Sequence, residues 1–169
     1  MAKIRRYYWD SCAWLGLLNG EANKRRELEI LYNAAKRSEI EIWTSTVSLV
    51  EVSRLASESG THKPYPAENE DTIANLLEQP FVKLVPVDLE TGRRARNIIR
   101  STPGMRNIGD AIHLASALRW PVEAMHTYDR ADLLRLSGVL RRKDGEPLKI
   151  CYPDDATDGP LFAETRGNG

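Results

Sequence analysis

The sequence predicts a three-layer α/β/α domain with a mainly parallel central sheet. Short segments rich in β-branched and aromatic residues alternate along the chain with segments of helical period. The 169 residues fit one domain, and a chain of that length buries roughly 70% of its unfolded surface, enough for one core. The composition, 41% hydrophobic and 28% charged, excludes wholesale disorder and collagen-like repeats.

Residues 4–9 (IRRYYW) read as a first strand ending at Asp10. Ser11 can cap a short helix that Asn19 and Gly20 close. Residues 23–38 place Leu28, Leu31, Ala34 and Ala35 on one helical face, and IEIWTS at 40–45 alternates like a strand. Ser45 or Thr46 can cap a helix running to about Ala56. Residues 57–71, polar and carrying Pro64 and Pro66, predict a surface loop rather than a domain linker. A helix over Thr72–Glu78 then leads to a strand over Phe81–Val87, followed by a helix over Leu89–Arg100. Asn107–Trp120 carries a stripe of Ile108, Ala111, Ile112, Ala115 and Leu118, stopped by Pro121. Strands over 123–128 and 148–152 complete the sheet, and the Asp-, Gly- and Pro-rich tail is expected to be loosely held.

Charge is balanced, with 24 basic and 24 acidic residues, which argues against a generally basic nucleic-acid coat but not against local patches. Two cysteines, Cys12 and Cys151, are too few for a disulfide scaffold and point to a reducing, cytoplasmic setting. Lys3, Arg5 and Arg6 precede an apolar stretch as in a signal peptide, yet Asp10 interrupts it. No segment reaches the roughly 20 apolar residues of a membrane span, so no membrane association is expected.

In open α/β sheets, ligands bind outside the carboxyl ends of the strands. Asp10 ends the first strand, Asp129 ends the fourth, Glu51 lies early in the helix after the second, and Asp110 starts the helix before Asp129. Parallel strands bring all of them to one edge. Taken singly, an Asp at such a place is as well explained as a cap or a turn former. Glu51 is harder to explain so, because Val47, Leu49, Val50 and Val52 surround it and a buried carboxylate needs pairing, water or metal. The four motifs hold no Lys or Arg except Arg54 and Arg130. A divalent cation site follows, and hard oxygen donors favour Mg²⁺ or Mn²⁺. Zinc is disfavoured, since the cysteines lie far apart and no His pair has ligand spacing.

Asp10-Ser11, then Ser45-x-x-Ser48-x-x-Glu51, then Gly109-Asp110-Ala111-Ile112-His113-Leu114-Ala115-Ser116-Ala117, then Thr127-Tyr128-Asp129 resembles the PIN-domain ribonuclease family. Size and motif spelling are similar to its VapC-type toxins of toxin–antitoxin pairs. The resemblance runs from about Ile4 to Asp129, plus the strand at 148–152. It implies a PIN-like nuclease domain over 1–153 with a polar tail over 154–169, and Asp10, Glu51, Asp110 and Asp129 as catalytic acids holding Mg²⁺ or Mn²⁺. It further implies hydrolysis of RNA phosphodiester bonds to 5′-phosphate and 3′-hydroxyl ends, a small cognate antitoxin, and a homodimer. A divalent cation suits this chemistry because it acidifies water and neutralises charge building on phosphoryl oxygens. Cys12 departs from the family, which places Asn, Ser or Thr there; a thiol is a poor donor, so support for Asp10 is expected to be weaker. The chain is also longer than a typical toxin of this type, through the 57–71 loop and the tail.

Thr127, two residues before Asp129, is expected to support the site, as is Ser45, although Ser45 and Ser48 serve equally as helix caps. His113, one turn after Asp110, can reach the site edge but reads more readily as a packed structural residue, and Asp132, near Asp129, is explained equally well as an exposed helix-start acid. Arg93, Arg94, Arg96 and Arg100, with Arg106, form a basic segment that either faces solvent or guides an RNA backbone toward Asp110. Arg141, Arg142 and Lys143 make a smaller patch. Tyr7, Tyr8, Trp9, Trp14, Trp43 and Trp120 read as core or dimer packing. Three other readings remain beside the toxin: a PIN-domain RNA-processing nuclease without an antitoxin, a non-catalytic PIN-like binding domain, and a phosphoacceptor receiver module. The last needs a Lys at the end of a late strand, whereas Lys149 begins one.

Overall fold

The computed structural model describes residues 3–157. Among them, β1 (Arg5–Trp9), β2 (Ile40–Ser45), β3 (Val82–Val85), β4 (Ala124–His126) and β5 (Lys149–Cys151) form one all-parallel sheet in the order β3-β2-β1-β4-β5. The helices are α1 (Ser11–Leu18), α2 (Arg25–Lys36), α3 (Ser48–Glu51), α4 (Ala67–Leu77), α5 (Leu89–Ser101), α6 (Ile108–Arg119) and α7 (Asp154–Thr157).

Successive strand residues point to opposite faces, so a strand buried on both faces must be apolar or aromatic throughout. β1 shows this directly. Tyr7 and Trp9 join Ile40, Ile42 and Val82 on one face, packed with Trp14 of α1, Leu28 and Leu31 of α2 and Leu77 of α4. Tyr8 turns the other way, to Met125, Ile150, Ala95 and Ile98 of α5, and Leu114 and Leu118 of α6. Two helical layers thus cover one sheet, as the alternation of segments predicts. Trp9 and Trp14 meet edge to face with ring centroids 4.9 Å apart, and Trp43 lies 5.9 Å from Trp120 on the opposite side.

Three element boundaries differ from expectation. Asp10, not Ser11, caps α1. α3 ends at Glu51 instead of near Ala56, because Val47, Val50 and Val52 lose rotamer freedom in a helix and the neighbouring serines compete for its backbone bonds. α4 starts at Ala67 rather than Thr72, directly after Pro66, and its first turn carries Glu68 and Glu70 toward the positive end of the helix dipole. The last part of the expected 57–71 loop is therefore helical, and the buried Glu58 fastens the rest. Its carboxylate accepts the Leu55 N–H and the Asn69 amide, each at 2.8 Å.

The described chain closes with α7, which packs against α2 and buries Ala156 and Thr157. Residues 158–169 of the expected tail lie outside the described residues. Among those described, no helix is long and apolar enough to cross a membrane.

The strand order places the site. From β1 the chain moves outward to β2 and β3, then returns to β4 on the other side of β1. Connections leave β1 and enter β4 on opposite faces of the sheet, and this opens a crevice at their carboxyl ends.

Candidate active site

Asp10 forms the floor of that crevice. It is the first residue after β1 and only 1% exposed. One carboxylate oxygen accepts the Ala13 N–H at 3.1 Å and so starts α1, while the other accepts the Thr127 hydroxyl at 2.5 Å. The Thr127 Oγ1 in turn accepts the Asp129 N–H at 3.0 Å. One hydroxyl therefore ties the carboxylate after β1 to the backbone after β4. Burial pushes the Asp10 carboxyl up, and nearby Asp129 adds to this. His113, Thr127 and the Ala13 N–H oppose the rise.

Asp110 arrives from the helical layer. The Asn107 side chain accepts the Asp110 N–H at 3.1 Å, which fixes the start of α6 and sets Asp110 in its first turn. Across from it, Asp129 Oδ1 accepts the Asp132 N–H at 2.9 Å, and this tight turn folds Asp132 back toward its neighbour. Asp110, Asp129 and Asp132, all half-buried, bring carboxylate oxygens within 4.8 Å of one another. Burial, then Asp129 and Asp10, push the Asp110 carboxyl up to about 6, with His113 opposing and Asp132 adding a little. No ion pair among the described residues engages Asp10, Asp110, Asp129 or Asp132. A half-buried, all-oxygen and mutually repelling donor set fits a hard divalent cation.

Glu51 enters from the end of α3 and does not belong to that trio. One carboxylate oxygen lies 2.6 Å from His113 Nε2, and the other rests over Gly109, where a Cβ would come within 1.9 Å of it. Burial pushes the Glu51 carboxyl up, but the hydrogen bond and charge of His113, with a hydrogen bond from Ser11, outweigh it and hold the group below the usual range.

Ser45 touches no carboxylate in this arrangement. Its hydroxyl accepts the Val47 N–H at 3.2 Å, and its own N–H donates to the Tyr8 hydroxyl at 3.1 Å. Ser48 pairs with Thr44 at 2.7 Å. Cys12 stands among the acids, and burial, then Asp10, Asp129 and Asp110, push its thiol up to about 12. A thiol held protonated is no nucleophile. On α5, Arg93, Arg96 and Arg100 are exposed, whereas Arg94 donates to the Arg141 carbonyl at 2.9 Å. α5 packs along α6, and the exposed Arg106 stands in the connection that leads to Asp110.

The structure thus gathers Asp10, Asp110 and Asp129 at the crevice and sets Glu51 at its side. It also brings in two residues that the sequence explains at least as well by a structural role. Asp132 joins the cluster, and its only signal was a spacing of three from Asp129. His113 reaches Glu51, and its only signal was a position one turn beyond Asp110.

The family model described as PIN domain matches residues 7–138. The toxin VapC20 of Mycobacterium tuberculosis, which cleaves the sarcin-ricin loop, shares the fold with a TM-score of 0.57 and 16% identity, over 74% of this chain and 91% of that one. VapBC2 of Rickettsia felis, solved with a DNA fragment from its promoter, superposes with a TM-score of 0.53 and 13% identity, over 73% of this chain and 88% of that one. No curated protein matches the sequence.

Proposed function

The chain belongs to the PIN-domain family, and from that premise we propose that it is a Mg²⁺- or Mn²⁺-dependent endoribonuclease, the toxin of a toxin–antitoxin pair. The observation that carries the reading is the cluster of Asp110, Asp129 and Asp132 above buried Asp10, repelling one another with no ion pair to a Lys or Arg among the described residues. These residues would hold the cation, with Glu51 binding it or orienting a water. The cation supplies Lewis-acid polarisation of a phosphodiester and acidification of water.

The rest is the work of the chain. Thr127 sets the relative positions of Asp10 and Asp129 through its two hydrogen bonds, so the acids are arranged before any ligand arrives and need little reorganisation. Glu51, held ionised by His113 and Ser11, is a proton acceptor or water-orienting group at the side of the crevice. Exposed Arg93, Arg96 and Arg100 attract the RNA backbone without reading its sequence, and Arg94 anchors α5 beside them. Attack of water at phosphorus with departure of the 3′ oxygen leaves 5′-phosphate and 3′-hydroxyl ends. The VapC toxin and the VapBC assembly that share the fold support a small cognate antitoxin as partner, and a homodimer working in the cytoplasm completes the proposal.

The test is cleavage of cellular RNA by the purified chain, with product ends mapped, in Mn²⁺ and in EDTA. Expression in a host with and without the neighbouring small gene, together with light scattering, covers the partner and the dimer. Discrete cuts that need metal and growth arrest relieved by the neighbour are expected. Full cleavage in chelator overturns the metal mechanism, and arrest unrelieved by the neighbour overturns the toxin pairing.

A further inference from the structure

Glu51 is gripped by two residues of α6 spaced four apart, which share one face of that helix. Gly109 provides the seat. A Cβ there would overlap the Glu51 Oε1 at 1.9 Å, so the carboxylate approaches the bare backbone as no other residue would allow. His113 provides the hold. Its ring is fully buried and both nitrogens are engaged, Nε2 at 2.6 Å from Glu51 Oε2 and Nδ1 at 2.7 Å from the Tyr8 hydroxyl.

Tyr8 holds one side of the His113 ring, and the Glu51 carboxylate sets the direction of the bond on the other. Burial pushes the Tyr8 phenol up, so it keeps its proton. Its oxygen accepts the Ser45 N–H at 3.1 Å and lies 2.7 Å from His113 Nδ1. Glu51 is an ionised carboxylate that can only accept, so His113 Nε2 carries a proton and donates to it. A relay runs from the end of β2 through Tyr8 and His113 to a carboxylate on α3. Glu51 itself retains 27% side-chain exposure, and a glutamate released from this grip would sample several rotamers.

We propose that His113 is a positioning residue: with Gly109 it locks the Glu51 carboxylate in one orientation beside Asp110, so that the crevice presents one further fixed acid to its cation. The inference rests on the metal-dependent reading above. A residue that only packed would need neither ring nitrogen, and a leucine would serve in its place.

The experiment measures Mn²⁺ binding to the metal-free chain by calorimetry, with thermal midpoints in EDTA, for the parent, His113→Leu, His113→Gln and Gly109→Ala, each with and without Glu51→Gln. Loss of a group that orients a metal ligand weakens binding by about 10- to 100-fold, and that loss is expected for His113→Leu. His113→Gln, whose amide can place a donor near Nε2, restores most of the affinity. Gly109→Ala displaces the carboxylate while leaving the Tyr8–His113 bond intact, and lowers affinity without lowering the midpoint. In the Glu51→Gln background the His113 substitutions change Mn²⁺ affinity little further. Parent-like affinity in folded His113→Leu and Gly109→Ala overturns the proposal, and so does His113→Gln binding as weakly as His113→Leu. Should His113→Leu not fold, Gly109→Ala and His113→Gln decide. A parent that binds no Mn²⁺ overturns the preceding reading instead. The contact is then judged from the EDTA midpoints, where additive effects of His113→Gln and Glu51→Gln overturn it.

Discussion

Replacing Asp110 by Asn separates catalysis from folding more cleanly than any other single change. The side chain keeps its shape and loses one charge from a cluster in which Asp129, Asp10 and Asp132 all repel it. Its carboxyl rises from 3.8 in the unfolded chain to about 6 in the fold. The unfolded chain therefore releases this proton first, and the charge costs folding stability as pH rises from 3.8 through about 6, with the full cost present above that. Taken whole, the shift corresponds to about 3 kcal/mol, which solvent screening of a half-buried group reduces to about 1 kcal/mol.

Melts in EDTA at pH 4 and pH 7.5 read this directly. Asp110→Asn is expected to equal the parent at the lower pH and to melt about 3 °C higher at the upper one. Saturating Mn²⁺ reverses the order, because binding to the folded state alone raises stability and the parent binds more tightly. RNA cleavage falls at least about a hundredfold, the scale of one electrostatic contact at a transition state, while RNA binding persists because phosphate contacts come from Arg and Lys. Parent-like cleavage, or an equal loss of stability at both pH values, would refute the reasoning and make Asp110 a structural cap.

Asp132→Asn weakens Mn²⁺ binding about tenfold, the effect of roughly 1.4 kcal/mol, by calorimetry; unchanged affinity removes Asp132 from the site. Thr127→Val strips the side-chain partner from the Asp129 N–H and the hydroxyl donor from Asp10, which keeps only the Ala13 N–H among the described residues. It destabilises by about 1–3 kcal/mol in urea melts, and Thr127→Ser recovers most of this. Cys12→Ala keeps cleavage within about twofold, and Cys12 resists alkylation at pH 7.5, because its thiol stays protonated. Alanine at Arg93, Arg96 and Arg100 together weakens RNA binding and flattens its salt dependence by about 3 in logarithmic slope if all three meet phosphates, with turnover at saturating RNA unchanged.

The sheet and the acids at its edge were legible because each depends on information local to its segment. A stretch buried on both faces reads like YYW and a partly buried one alternates like IEIW, and an acid that follows such a run lies at the carboxyl edge if the strands are parallel. Asp10 and Asp129 are found this way, and Asp110 by its place at the start of the helix that leads into β4. The lengths of α3 and α4 are less local. Helix period continues in the sequence past Glu51, but β-branched Val52 and Ser53 offer the backbone better alternatives once tertiary contacts take the Glu51 side chain away.

Asp132 and His113 show where local reading stops. An acid three residues after another looks the same whether it starts an exposed turn or is folded back by the Asp129 side chain, and only the second arrangement adds a donor to the cluster. His113 sits on an apolar helix whose pattern explains its burial completely. Its function depends on a carboxylate that arrives from 62 residues away. Gly109 carries the argument furthest, since its contribution is an absence: any side chain at that position would occupy the place of the Glu51 carboxylate. What a sequence spells at such a point is the space another residue needs, and the owner of that space becomes visible only when the sheet has brought α3 and α6 to the same edge.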